Sequence, residues 1–214
     1  MDEDITIINS ETRNEKFKKF FQENRKKIIF FFIFVIIVII TFYSYQIYRD
    51  GQIKRISNLY NTIVIEYQNS EKSKTISSLK ELIGEKNSTY SPLALYFIID
   101  NNLIEDKKEV NKLFDILINK TDLEAEIQNL IIYKKALFNA DETDELTLLN
   151  ILNPIINSES IWKSHALYLA GEFFYNKKEI QKSKDFFQQI ILIENPNSEI
   201  KVKAQKRLNR DLGD

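Results

Sequence analysis

The chain of 214 residues is predicted to be all-α: one apolar N-terminal helix, then a solenoid of helical hairpins closed by a capping helix. Three observations predict this class. Ile28 to Tyr48 contains no charged residue, and its first part, through Ile40, holds only Ile, Phe and Val. Beyond it, apolar residues recur at three- and four-residue spacing, and strand-type alternation is nowhere sustained. Glycine, proline and cap-type residues then divide the periodic stretch into short helices.

As a helix, the uncharged run is roughly 30 Å long at ~1.5 Å per residue, which matches the hydrocarbon core of a bilayer. So many β-branched residues favour a strand in water. An isolated segment in lipid must satisfy its own backbone, and only a helix does so. Arg13, Lys16, Lys18, Lys19, Arg25, Lys26 and Lys27 precede the run, whereas only Arg49, Lys54 and Arg55 follow closely. Retaining the more basic flank inside places the N-terminus in the cytoplasm and the long C-terminal part outside. Tyr43, Tyr45 and Tyr48 occupy the exit interface, and Phe20 and Phe21 the entry, within EKFKKFFQENRKK. A cleaved signal peptide has a shorter apolar region and a small-residue cleavage site. Here the run ends in TFYSYQIYRDG, so an uncleaved anchor is predicted. The polar opening, MDEDITIINSETRN, is expected to be flexible. The predicted divisions are a basic N-terminal segment at 1–27, a transmembrane helix at 28–48 and a helical domain at 49–214.

Composition narrows the function classes. The chain has 30 Lys and Arg against 31 Asp and Glu. Seven basic and six acidic groups lie in 1–27 and none in 28–48, which leaves 23 and 25 for residues 49–214. Such a balance is not the footprint of a nucleic-acid binder. Cysteine is absent, which excludes disulfides, thiol catalysis and thiolate metal sites. The single histidine, His165, stands three residues after Trp162 and borders an apolar helical face, as a structural histidine does. No second His or Cys can join it in a metal site. Four glycines, Gly51, Gly84, Gly171 and Gly213, cannot assemble a phosphate-cradling loop. No catalytic, cofactor-binding or metal residue is therefore predicted, and no small-molecule substrate.

Element by element, Ile53, Ile56, Tyr60, Ile63 and Tyr67 form a stripe just after the span. Ile76, Leu79, Leu82 and Ile83 form the next helix, which Gly84 is expected to end as a C-terminal cap. Ser91–Pro92 reads as a helix start, with Ser at the cap and Pro in the first turn. Val110, Leu113, Phe114, Leu117 and Ile118 make one apolar face, and Leu123, Ile127, Leu130, Ile131, Leu137 and Phe138 the following one. Asn119 and Lys120 are placed between these two helices, with Thr121 or Asp122 as the next cap. Asp141 to Asp144 opens a further helix that Pro154 ends or kinks. Ser158 or Ser160 begins the next, Asn176–Lys178 turns it, and Asn195–Pro196 closes its partner. Hairpins beginning near Ile53, Ser91, Leu123 and Ser160 are 38, 32 and 37 residues apart, near the ~34-residue period of a tetratricopeptide array.

The stretch ALYLAGEFFYNKKEIQKSKDFFQQIILIENP resembles a tetratricopeptide unit almost position by position. Gly171 takes the small place of the first helix and Phe174 its aromatic. Ser183 takes the small place of the second helix and Phe187 the aromatic after it. Small residues permit close helix approach, and the aromatics fill the gap beside them. Lys178 stands where the turn commonly has Gly, and Pro196 falls one residue later than the usual proline. In SEIKVKAQKRLNRDL, Ile200, Ala204 and Leu208 share one side and the Lys and Arg residues the other, as a terminal capping helix requires.

With anchor and repeats together, the chain resembles the YfgM-like family of ancillary SecYEG translocon subunits. Three stretches carry the match: EKFKKFFQENRKK leading into the span, the SPLALYFIIDNNL helix, and the final block from Ser160 to Leu208. Trp162 and the closing KVKAQKRL are the most family-like details. The Lys-, Asn- and Ile-rich sequence departs from the family's Ala- and Leu-rich forms. The resemblance implies a bacterial inner-membrane protein with a periplasmic tetratricopeptide-like domain, acting as a non-catalytic adaptor between the Sec translocon and periplasmic chaperones or clients. Its array would supply a surface for partner segments. Separately from the resemblance, most of the 15 Phe and 10 Tyr stand at helical spacing as core residues do, with Tyr96, Tyr133 or Tyr168 as candidate partner contacts. The alternatives are a scaffold for another envelope complex, such as respiratory or cell-division machinery, and a tethered enzyme using carboxylates.

Overall fold

The computed structural model describes residues 18–210 and 212. The polar opening, with Arg13 and Lys16, lies outside the described residues. From Lys18 the chain is helical to a turn at Asn24, then enters α1, Arg25–Glu66, of 42 residues. Among the described residues, α1 is the one helix long and apolar enough to cross a membrane, and none of that apolar stretch is buried within the protein. The chain divides into two compact units, one ending at Arg55 and one beginning at Ile56.

Among the described residues, the regular elements of the second unit are all helices. The last turns of α1 pass through a short 3-10 turn, Tyr67–Asn69, into α2 (Lys72–Gly84) and α3 (Tyr90–Asp100). Then come α4 (Lys107–Lys120), α5 (Ala125–Asn139), α6 (Glu145–Ile156), α7 (Lys163–Asn176), α8 (Ile180–Leu192) and α9 (Ser198–Arg210). From α2 onward each helix packs on the next, most extensively α7 on α8; α2 also meets α4, α5 meets α7 and α7 meets α9. The starts of α3, α5 and α7, at Tyr90, Ala125 and Lys163, are 35 and 38 residues apart.

Three cores follow one another along the array. Ile56 and Ile63 of α1 join Leu79, Leu82, Leu95, Ile98, Phe114 and Ile131 in the first. Ile132, Ala136, Leu148, Leu152, Ala166 and Phe174 build the second. Leu167, Phe187, Ile190, Ile200, Ala204 and Leu212 build the third. Neighbouring residues thus serve different cores: Ile131 and Ile132 on α5, Ala166 and Leu167 on α7. Adjacent positions on a helix point about 100° apart, so one helix seals the core before it and the core after it.

Several helix ends differ from the sequence expectation. No helix begins near Ile53, because α1 runs straight through Gly51, around which a side chain would meet open space. A mid-helix glycine costs only about 1 kcal/mol, too little to break a long helix. Gly84 is the last helical residue of α2, and the left-handed position falls on Lys86, at φ 54°. Ser91 lies inside α3 rather than at its cap: the Asn87 Oδ1 accepts the N–H groups of Thr89 and Tyr90, at 3.0 and 2.9 Å. The buried Ser91 hydroxyl instead donates to the Leu82 carbonyl and accepts from the Asn87 N–H, both at 2.9 Å, tying α2 to α3. Asn119 and Lys120 end α4, and Glu124 is the residue before α5. Thr121 is buried, and its hydroxyl donates back to the Ile116 carbonyl. Asp144 does cap α6, accepting the Thr147 N–H at 2.9 Å, and Pro154 lies two residues before that helix ends. Ser160 precedes α7, with its hydroxyl accepting the Trp162 N–H at 3.1 Å. On α5 the buried face is Ile131, Ile132 and Ala136, whereas Ile127 and Leu137 are exposed.

Candidate functional site

The α7–α8 crossing shows how the array is held. The Ser183 hydroxyl donates to the Gly171 carbonyl at 2.9 Å, and both residues are buried. A Cβ at Gly171 would lie 2.7 Å from a ring carbon of Phe187, so only glycine allows this approach. Phe174 stacks on Phe186, with ring centroids 5.4 Å apart. Lys178 has φ 64°, the left-handed geometry that glycine takes most easily. The capping helix is fixed by the Arg207 guanidinium, which donates to both carboxylate oxygens of Glu172 at 2.7 and 2.6 Å. Its inward residues, Ile200 and Ala204, complete the third core, with Leu208 against it.

The first helices of successive hairpins, α3, α5 and α7, with α9 after them, carry all three candidate tyrosines. Tyr133 on α5 stacks on Trp162, with centroids 6.0 Å apart and planes at 18°. His165 sits against both rings, 5.8 Å from Tyr133 and 5.1 Å from Trp162. Its Nδ1 is buried. Burial lowers the His165 pKa and Lys203 reinforces the fall, while Glu199 on α9 and the Ile161 backbone pull the other way. Burial raises Tyr133, partly offset by Lys203. Tyr168 packs on Phe187 at 5.4 Å and is raised by burial, then by its hydrogen bond to Glu172. Tyr168 reaches the capping helix through Glu172, whose carboxylate also accepts from Arg207.

Tyr96 on α3 stands apart from them. The Lys134 ammonium lies 4.6 Å from its ring centroid, and burial pushes its pKa up to about 12. It lines a pocket of about 360 Å³ between α3 and α5, with Pro92, Leu93, Leu123, Ile127 and Leu130. A space of that size accepts a few apolar side chains of a partner. Neutral tyrosines with a raised pKa supply flat apolar surface and a hydroxyl, the combination enriched in protein contacts. Helical spacing assigns Ile127 and Leu130 to a core stripe, whereas in the structure both line this pocket. The available signal was an apolar arc on α5 wider than one core requires. Among the described residues, no three His, Asp or Glu side chains converge as a metal ion would need.

Residues 18–206 match the tetratricopeptide repeat-like domain family. The chain belongs to that family. The matched region includes α1 as well as the hairpins, so apolar helix and array fall within one family unit. No curated relative and no solved structure matches the chain. Membership of a tetratricopeptide repeat-like family makes this a protein-interaction scaffold of a typically non-catalytic kind. The Gly171, Ser183 and Phe187 crossing is the part of the tetratricopeptide-like pattern on which its hairpin packing rests.

Proposed function

We propose that the protein is a single-pass scaffold of a bacterial inner membrane, with its tetratricopeptide-like domain in the periplasm. In this reading 1–27 is the cytoplasmic segment, 28–48 the span and 49–214 the periplasmic domain. It works as an adaptor that is not an enzyme, holding chaperones or emerging clients beside the Sec translocon. The observation that carries the reading is an unburied apolar helix leading into an array of the tetratricopeptide repeat-like family. The resemblance to YfgM-like translocon subunits supplies the choice of partner, and the asymmetry of basic residues around the span supports the orientation. Binding needs only modest affinity, because a tether raises the local concentration of any client emerging nearby. The pocket beside Tyr96 and the Tyr133–Trp162 surface are the contact sites this function calls for.

Crosslinking in native membranes tests the partner. Sec components should be recovered with the full-length protein and lost when the span is replaced by an unrelated one. Recovery of respiratory or division proteins in their place would move the scaffold to another envelope complex. Protease added to spheroplasts should digest the domain beyond Tyr48 and spare the N-terminus, and the reverse pattern would invert the topology.

A further inference from the structure

We propose that the helical segment from Lys18 to Ile29 binds an anionic phospholipid in the leaflet where the chain enters the membrane. This rests on the reading of α1 as a span. From Lys18 to Lys27 five residues are basic, Lys18, Lys19, Arg25, Lys26 and Lys27, and only Glu23 is acidic. All six are exposed. The Asn24 N–H donates to the Phe20 carbonyl at 3.0 Å and the Ile28 N–H to the Asn24 carbonyl at 2.9 Å, so helical spacing persists across the turn. At 3.6 residues per turn, Lys18 aligns with Arg25 and Lys19 with Lys26, on adjoining rows. Phe20, in line with Lys27, and Phe21 are both more than half exposed.

Arg25 shares a shallow groove of about 290 Å³ with Phe21, Gln22, Ile28 and Ile29. Apolar rungs therefore stand one turn before and one turn after the guanidinium. A lipid phosphate pairs with that planar fork in two-point fashion, while an acyl chain follows Ile28 and Ile29 along the span. Charge selects the lipid class: a zwitterionic headgroup brings its own cation to a cluster already carrying an excess of four positive charges, whereas an anionic one does not.

The test uses the full-length protein in phosphatidylcholine bilayers, with spin-labelled phosphatidylglycerol or phosphatidylcholine as probe. Phosphatidylglycerol should associate about fivefold more strongly with the protein, a preference that weakens as salt is raised. In R25Q/K26Q/K27Q the ratio should fall close to one, while thermal unfolding of the domain stays unchanged. Equal association of the two lipids with the unsubstituted protein, or an unaltered ratio in the variant, overturns the lipid site and leaves the span standing. Release of the protein from bilayers by alkaline carbonate overturns the span and this site with it.

Discussion

At Gly171 a single added carbon has a definable consequence. Its Cβ would meet three ring atoms of Phe187, at 2.7, 2.8 and 3.0 Å, and Phe187 is fully buried. Gly171→Ala is expected to lower stability by about 1–3 kcal/mol, the usual range for overpacking a filled core. Thermal or denaturant unfolding measures this. The same substitution should cost less in a Phe187→Leu background, because the clash partner has gone. His165 gives a pH dependence of stated sign. Burial holds its folded pKa below the ordinary histidine value, so the folded state favours the neutral ring. That contribution is present above the unfolded pKa of about 6.5 and is lost as pH falls through the lowered folded value. Tm should drop on acidification from about pH 7.5 to about pH 5, and less so in His165→Phe, whose aromatic ring keeps the contacts to Tyr133 and Trp162 without titrating.

At the scale of elements, the helix ends decide how each hairpin closes. Among the described residues, three other than glycine take the left-handed conformation: Lys86, Asn102 and Lys178, at φ 54°, 47° and 64°. Asparagine tolerates that geometry through its short polar side chain, whereas lysine does not share the advantage. Lys178→Gly should therefore stabilise the α7–α8 hairpin by about 0.5–1 kcal/mol, after allowing for the looser unfolded chain. Asn102→Gly should gain less. Denaturant midpoints of the two variants, compared side by side, check the order. The α6 start shows the opposite case: the Asp144 cap was legible because its carboxylate bonds within its own turn. The α3 start was not, since Ser91 is drawn inward to bond Leu82 and Asn87 takes over the cap.

For the molecule as a whole, the buried residues that build the three cores lie between Ile56 and Leu212. Residues 49–214 produced without the anchor should fold, with a cooperative helical unfolding transition. The Tm should lie within about 2–4 °C of the intact protein's, the shift that ~1 kcal/mol produces in a domain of this size. Circular dichroism on both forms decides it, and a non-cooperative melt of the shorter chain would show that the array depends on its anchor.

What the sequence by itself determined is whatever rests on local chemistry. The uncharged Ile/Phe/Val run, the all-α class and the Gly171–Ser183–Phe187 crossing all belong here, since each is contained in one helix or one hairpin. Only the tertiary structure decided how apolar faces are shared. Spacing shows that a helix has a buried side, but not which neighbour covers it. In an array every helix faces both the hairpin before and the hairpin after, so its apolar arc is wide and its division depends on helix rotation. That rotation assigns Ile131 to one core and Ile132 to the next, and leaves Ile127 at the rim of a pocket. It also sets Lys134 over Tyr96 and stacks Trp162 on Tyr133, pairings between residues far apart in the chain that no periodicity encodes.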